Sequence, residues 1–151
     1  MSYTGNLSYT LSTGPAYTND YPIFSTYNTI NGNMNFDGVG AVLSTLSLAV
    51  LRVVSGYVNF QYDSYLTSIT FASLTFLGSY FDFYTNVILT SISCPMLSYV
   101  GGNIGPLSNP KLVSVSMPSL LTVGTFVEFC GNNATLVTPI NILKVCIHEN
   151  S

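Results

Sequence analysis

Leu74-Thr75-Phe76-Leu77-Gly78-Ser79-Tyr80-Phe81-Asp82-Phe83 is answered, at an offset of 23, by Leu97-Ser98-Tyr99-Val100-Gly101-Gly102-Asn103-Ile104-Gly105-Pro106. Both segments hold a leucine, an aliphatic residue three places on, a small-residue pair and an alternating run. The leucine recurs at Leu51, Leu120 and Leu143, again at intervals of 23, with Val54, Val123 and Cys146 as its partners. A fixed period of this length marks a solenoid, in which each coil buries its apolar face only by stacking on the next.

Aligning the leucines brings the rest of each coil into register. A small-residue corner follows the anchor at Asn31-Gly32, Ser55-Gly56, Gly78-Ser79, Gly101-Gly102 and Gly124-Thr125. Glycine's tolerance of positive φ suits a sharp bend there. Next comes Asn33-Met34-Asn35-Phe36, repeated as Tyr57–Phe60, Tyr80–Phe83, Asn103–Pro106 and Phe126–Phe129. Alternation of period two predicts a strand with one buried face. Met34, Val58, Phe81, Ile104 and Val127 point inward, beside Phe36, Phe60, Phe83, Pro106 and Phe129. A polar turn with Asn86 and Asn109-Pro110 leads to a second alternating strand: Leu43–Leu48, Leu66–Phe71, Leu89–Cys94 and Leu112–Met117. Its inward columns are Leu43/Leu66/Leu89/Leu112, Leu46/Ile69/Ile92/Val115 and Leu48/Phe71/Cys94/Met117, and Pro95 and Pro118 mark the next corner. Turns and β-branched or aromatic residues exclude helix from this body.

The last coil slips. Leu136 stands one position farther from Leu112 than the period allows, and Pro139 falls where an inward residue is expected. Terminal coils depart from the repeat because they cover an open sheet edge. Residues 137–151, with Lys144, His148 and Glu149, therefore read as a C-terminal cap. Residues 1–26, rich in Tyr and Thr, lie outside the repeat. They form either an N-terminal cap over the first coil or an arm ordered against a neighbouring subunit. The predicted fold is all-β: a parallel β-helix of about five coils over residues 27–136, between two caps.

At 151 residues the chain is one domain, and 48% hydrophobic residues fill a continuous core. Only 6% are charged, against ~25% in ordinary globular chains. Solubility therefore rests on hydroxyls and amides, and so weakly charged a surface favours association. That suits a component of an assembly or a wall. Three basic residues, Arg52, Lys111 and Lys144, cannot track a phosphate backbone, which excludes nucleic acid as a partner. The net charge of −3 is too diffuse to imply a basic partner. No apolar stretch approaches the ~18 residues of a membrane span. Met1–Asn6 has neither the basic nor the apolar region of a secretory signal. The sequons Asn6-Leu7-Ser8 and Asn133-Ala134-Thr135 matter only on a secretory route. Cys94 and Cys146 fall in inward columns as small hydrophobes, and Cys130 falls in a turn. Reduced thiols are favoured over a Cys130–Cys146 bridge, although spacing alone does not decide connectivity.

The run Asn109-Pro110-Lys111-Leu112-Val113-Ser114-Val115-Ser116-Met117-Pro118-Ser119-Leu120-Leu121-Thr122-Val123-Gly124 resembles the receptor L-domain repeat, a relative of leucine-rich repeats. Val100-Gly101-Gly102 and Cys94-Pro95-Met96-Leu97 fit the same pattern. It is most similar to the version in fungal GPI-anchored cell-wall glycoproteins. The resemblance spans residues 28–145 and implies a single-stranded parallel β-helix used in extracellular recognition or wall architecture. It implies no catalytic residues.

The outward column of the first strand holds Asn33, Tyr57, Tyr80, Asn103 and Phe126, flanked by Asn35, Asn59, Asp82, Gly105 and Glu128. Aromatic and amide groups on one ladder suit stacking on a glycan or docking of a protein. The other reading is a ladder that only stabilises itself. On the binding reading, Tyr57 and Tyr80 present one continuous aromatic surface. Asp82 and Glu128 share a column two coils apart, so ~10 Å, a separation within the inverting-glycosidase range. With Gly105 between them and nothing in the ladder to raise a carboxyl pKa, they read as solvated surface acids. Cys146-Ile147-His148 lacks the further ligands of a zinc site. Gly101–Gly105 precedes a strand rather than a helix, so the dinucleotide fingerprint fails. The second strand sets out Thr45/Ser47, Ser68/Thr70, Ser91/Ser93 and Ser114/Ser116 as a two-wide hydroxyl array. It resembles ice-binding solenoid faces, but its excess of Ser over Thr reads as ordinary polar alternation opposite a core.

These observations lead to a non-enzymatic structural or adhesive module without cofactor or metal, at the surface of a cell, a wall or a virus particle. Its partners are proteins of an assembly or a surface glycan. A wall-like surface without a secretory leader suits a minor virion structural protein. The alternative is a recognition module of receptor L-domain type, binding glycan or protein through the first strand. A polysaccharide-active β-helix enzyme is the weaker third.

Overall fold

Alternating runs become strands because each buries one apolar row and leaves the other to solvent. The coil period then stacks equivalent rows directly over one another. The computed structural model describes residues 1–10, 26–38, 44–132 and 135–137, which contain strands and turns and no helix. Strands form three parallel sheets, one on each face of the solenoid. The anchor sheet contains β1 (Ser2–Thr4), β3 (Thr29–Asn31), β6 (Val53–Val54), β9 (Phe76–Leu77), β12 (Tyr99–Val100) and β15 (Thr122–Val123). The ladder sheet contains β2 (Leu7–Thr10), β4 (Met34–Asp37), β7 (Val58–Gln61), β10 (Phe81–Tyr84) and β13 (Ile104–Leu107). A single bridge from Ile104 to Val127 extends it. The hydroxyl sheet contains β5 (Thr45–Ser47), β8 (Ser68–Thr70), β11 (Ser91–Ser93), β14 (Ser114–Ser116) and β16 (Thr135–Val137).

The predicted β-solenoid is therefore the observed fold, with two revisions to its coil. The coil has three strands rather than two. The stretch from anchor leucine to glycine corner pairs as a sheet of its own, through two-residue strands too short to show alternation. Four coils carry all three strands (β3–β5, β6–β8, β9–β11 and β12–β14), flanked by partial coils. The second revision concerns the end of the stack. Leu136 pairs with Val115 rather than following Leu112, so the last coil falls short of the regular period instead of exceeding it. At the other end, β1 and β2 pair in parallel with β3 and β4, so the first ten residues cover those edges. The expectations for Leu43, Pro139, Leu143, Lys144, Cys146, His148, Glu149 and the Asn133 sequon lie outside the described residues.

Within the described coils the inward columns are as expected. Leu51, Leu74, Leu97, Val54, Leu77, Val100, Met34, Val58, Phe81 and Phe83 are fully buried, and Leu120 is 2% exposed. Val123 and Phe129, at the upper end, are only partly buried. Phe36, Phe60 and Phe83 stack along the axis with centroids 4.3 and 5.4 Å apart and planes within 3°. Each fully buried Leu or Phe contributes ~1.5–3 kcal/mol, so the apolar columns hold the coils together.

Corner glycines serve a purpose other than left-handed backbone. Gly56, Gly78, Gly101 and Gly124 have no positive φ. A Cβ on Gly78 would land on the carbonyl oxygen of Ser55, and one on Gly101 on that of Gly78. The coils approach too closely there for any side chain. Apart from Gly5 (φ 129°) at this corner of the first, partial coil, the positive-φ residues occupy a different corner, after the ladder sheet, at Gly38, Tyr62 (φ 57°), Thr85 (54°), Ser108 (56°) and Gly131.

Beside that corner lies a buried polar column that the polar-turn reading did not foresee. Asp63 is 1% exposed, and Asn86 and Asn109 are fully buried. Asn86 Oδ1 accepts the Asp63 N–H (3.1 Å), Asn109 Oδ1 the Asn86 N–H (2.9 Å) and Asn132 Oδ1 the Asn109 N–H (2.7 Å). The amide nitrogens donate to carbonyls of the coil below: Asn86 to Phe60 O (3.2 Å), Asn109 to Phe83 O (2.9 Å) and Asn132 to Pro106 O. Each Asn thereby accepts a turn N–H of the coil below and donates to a strand carbonyl there, so the buried amides and the turn N–H groups are paired, as buried polar groups require.

Candidate recognition face

The ladder sheet turns Asn35, Asn59 and Asp82 outward between its buried Met34/Phe36, Val58/Phe60 and Phe81/Phe83 rows. Asn33, Tyr57, Tyr80, Asn103 and Phe126 form the column just before the strands. Backbone register places Asn35, Asn59, Asp82 and Gly105 in line. All eight candidates therefore lie on one face, but much of their chemistry is turned on itself.

Asn33 Oδ1 accepts the Tyr57 N–H (3.0 Å), while Asn33 donates its own N–H and Nδ2 to Asn6 Oδ1 (3.2 and 3.1 Å). Asn59 Nδ2 donates to Asn35 Oδ1 at 2.7 Å. Tyr57 and Tyr80 stack with centroids 4.4 Å apart and planes 8° from parallel. That distance is close to the ~4.8 Å strand spacing, so the rings stack along the solenoid axis and turn their edges to solvent. This corrects the expected continuous aromatic surface: the facing sides of the two rings are occupied by each other. Burial, reinforced by the neighbouring Tyr57 hydroxyl and by Asp82, pushes the Tyr80 phenol up to about 12.

Asp82 is also unlike its expected character. A Cβ on Gly105 would lie 2.7 Å from Asp82 Oδ1, so the carboxyl leans into the space left by the missing side chain. Asn103 Nδ2 donates to that Oδ1 at 2.7 Å. Burial raises the Asp82 pKa to about 6, the Asn103 hydrogen bond opposes the shift, and the Glu128 charge adds to it. The expectation that nothing nearby raises a carboxyl pKa is thus wrong at Asp82. Lean and burial depend on Gly105 leaving room, and only folding brings that room next to Asp82. Cys130 Sγ donates to Glu128 Oε1 at 3.4 Å, and Phe126 is 38% exposed. Asp82, Asn103, Glu128 and Phe126 make a polar cluster with an aromatic rim at the upper end of the face.

Sequence reasoning passed over a second aromatic group at the corner where the ladder sheet ends. Tyr62 and Tyr84, 55% and 41% exposed, meet edge to face at 5.7 Å, with Tyr65 exposed nearby in the chain. Tyr84 stands in register with Gln61 and Leu107, a column just beyond the quoted run. No three His, Cys, Asp or Glu side chains converge among the described residues. Nor is any described helix long and apolar enough to cross a membrane. Compared with protein-family models, curated proteins and solved structures, the chain matches none.

Proposed function

We propose that this chain is a non-enzymatic structural and interaction module at the surface of a cell, a wall or a virus particle, assembling with protein partners. The observation that carries the reading is the axial self-satisfaction of its side chains. Asn86–Asn109–Asn132, Phe36–Phe60–Phe83, Tyr57–Tyr80 and Asn35–Asn59 each bind along the stack. Such ladders stiffen a rod and leave few groups poised for chemistry, while 6% charge favours association over free diffusion.

A recognition module of the receptor L-domain type, engaging a glycan through the ladder sheet, is the second reading. It is favoured by the Asp82–Asn103–Glu128 cluster beside exposed Phe126, a polar group with an aromatic rim of the sort that orients a sugar. Fractionation of the native source, with wild type and an Asn103→Ala/Phe126→Ala variant, tests both. On the first reading wild type sediments with particles or wall. On the second, attachment and binding on a glycan array fall together in the variant while circular dichroism stays native. A freely diffusing wild type without glycan affinity overturns both. Polysaccharide turnover abolished by Asp82→Asn overturns the non-enzymatic assignment.

A further inference from the structure

In sequence the excess of Ser over Thr reads as ordinary polar alternation, but the structure sets these side chains in strict register, and we infer that the outward face of the hydroxyl sheet is a template for ordered water that adsorbs to the surface of ice. This stands apart from the ladder-sheet reading, because it concerns another face and another ligand.

The eight outward positions on β5, β8, β11 and β14 are Thr45, Ser47, Ser68, Thr70, Ser91, Ser93, Ser114 and Ser116, all hydroxyls without a charge, amide or ring. The other two sheets mix aromatic, amide, acidic and aliphatic groups on their outward sides. Register is strict: Thr45–Ser68–Ser91–Ser114 and Ser47–Thr70–Ser93–Ser116 are paired positions. Four hydroxyls at the neighbouring corners are instead consumed internally. Thr67 and Thr90 donate to Ser44 O and Thr67 O (2.7 and 2.8 Å), and Thr75 and Ser98 to Arg52 O and Thr75 O (both 3.0 Å). By contrast, the side chains of Ser68, Thr70, Ser91, Ser93, Ser114 and Ser116 make no hydrogen bond to any described residue, so both their donor and acceptor capacity faces outward.

Strand geometry sets the dimensions of this lattice, and water's own geometry matches them. Neighbouring hydroxyls lie ~4.8 Å apart across strands and ~6.7 Å apart along one, two residues of rise. Two O–H···O links of ~2.75 Å at the tetrahedral angle span ~4.5 Å, and three links in the extended arrangement span ~6.9 Å. One bridging water therefore fits across strands and two fit along them, each near its tetrahedral geometry. Repetition over β8, β11 and β14 turns these bridges into a sheet of tetrahedral water. A polysaccharide face fits less well, since sugar rings are held by aromatic stacking and this face carries none.

The test is thermal hysteresis, ice shaping and incorporation of the full chain into slowly growing ice. Wild type is expected to open a hysteresis gap and enter the ice. Ser93→Lys places a long charged side chain in mid-lattice, and Ser91→Ala/Ser93→Ala removes two hydroxyls without added bulk. Both should lose the gap while keeping the native circular dichroism spectrum. Ser93→Thr should keep it, as should Leu121→Lys on the anchor-sheet side, where Leu121 is 82% exposed. Exclusion of wild type from ice overturns the inference. So does a folded Ala double variant with undiminished hysteresis, or an equal loss in Leu121→Lys.

Discussion

Replacing Asp63 by Asn should stabilise the protein at neutral pH. Asp63 occupies the position in its coil that Asn86 and Asn109 occupy in the next two, and it is 1% exposed. Its Oδ1 accepts the N–H groups of Tyr65 (3.0 Å) and Leu66 (2.8 Å), a role that an amide oxygen fills equally well. Its Oδ2 is buried and has no hydrogen-bond partner among the described residues. Asn86 and Asn109, at this position in the next two coils, are neutral and donate their amide nitrogens to the carbonyls of Phe60 and Phe83, so the turn accepts a neutral amide. Burial raises the Asp63 pKa, against the lowering effect of the Tyr65 and Leu66 N–H groups. The side chains are nearly isosteric, so the change removes a desolvated carboxylate and opens no cavity. An unsatisfied buried polar group costs ~1–3 kcal/mol, which at ~2–4 °C per kcal/mol for a chain of this size raises the unfolding midpoint by about 5 °C. The sign of the pH dependence follows from linkage. A carboxyl whose folded pKa is raised binds its proton more tightly when folded, so wild-type stability falls as pH rises above the unfolded value of about 3.8. The advantage of the Asp63→Asn variant should therefore be largest near pH 7 and shrink below pH ~4. Thermal and urea unfolding at both pH values measure it. A variant less stable than wild type at pH 7, or an advantage that grows on acidification, would refute the account.

Three further changes probe other links. Leu97→Ala removes a fully buried anchor with Leu74 and Leu120 on the adjoining coils and should cost ~2–5 kcal/mol in urea unfolding; a loss under ~0.5 kcal/mol would place Leu97 outside the core. Gly78→Ala drives a methyl onto the Ser55 carbonyl and should cost at least ~1–3 kcal/mol, whereas no change would mean that the coils are farther apart at this corner. The Asp82 carboxyl should titrate near pH 6 by carbon-13 NMR, so its contribution to stability is present below about 3.8 and lost as pH rises through about 6. Asp82→Asn should remove that part of the pH dependence, and a midpoint near 4 would show the carboxyl to be solvated.

Local chemistry repeated at a fixed interval was enough to specify the architecture. Leu51, Leu74, Leu97 and Leu120 declare the coil, and alternation around Phe81–Phe83 or Ser91–Ser93 declares which side chains face in, because a strand's side-chain period is independent of its surroundings. Stacking between coils decided the rest. The anchor sheet was hidden because Val53–Val54 and its equivalents are too short to alternate and pair only with copies one full coil away. Gly78 is dictated by the Ser55 carbonyl, not by its own φ. Asn86 and Asn109 look like ordinary turn residues until the coil below presents carbonyls to their amides. Tyr57 and Tyr80 were legible as neighbours, but their ring orientation depends on the axial spacing, which turns their edges outward. Asp82 acquires its raised pKa from burial, as it leans into the space left at Gly105, and from the Glu128 charge, both of which depend on other coils. Sequence periodicity names the rows, while the distances between rows, which set packing, burial and proton affinity, exist only once the coils are stacked.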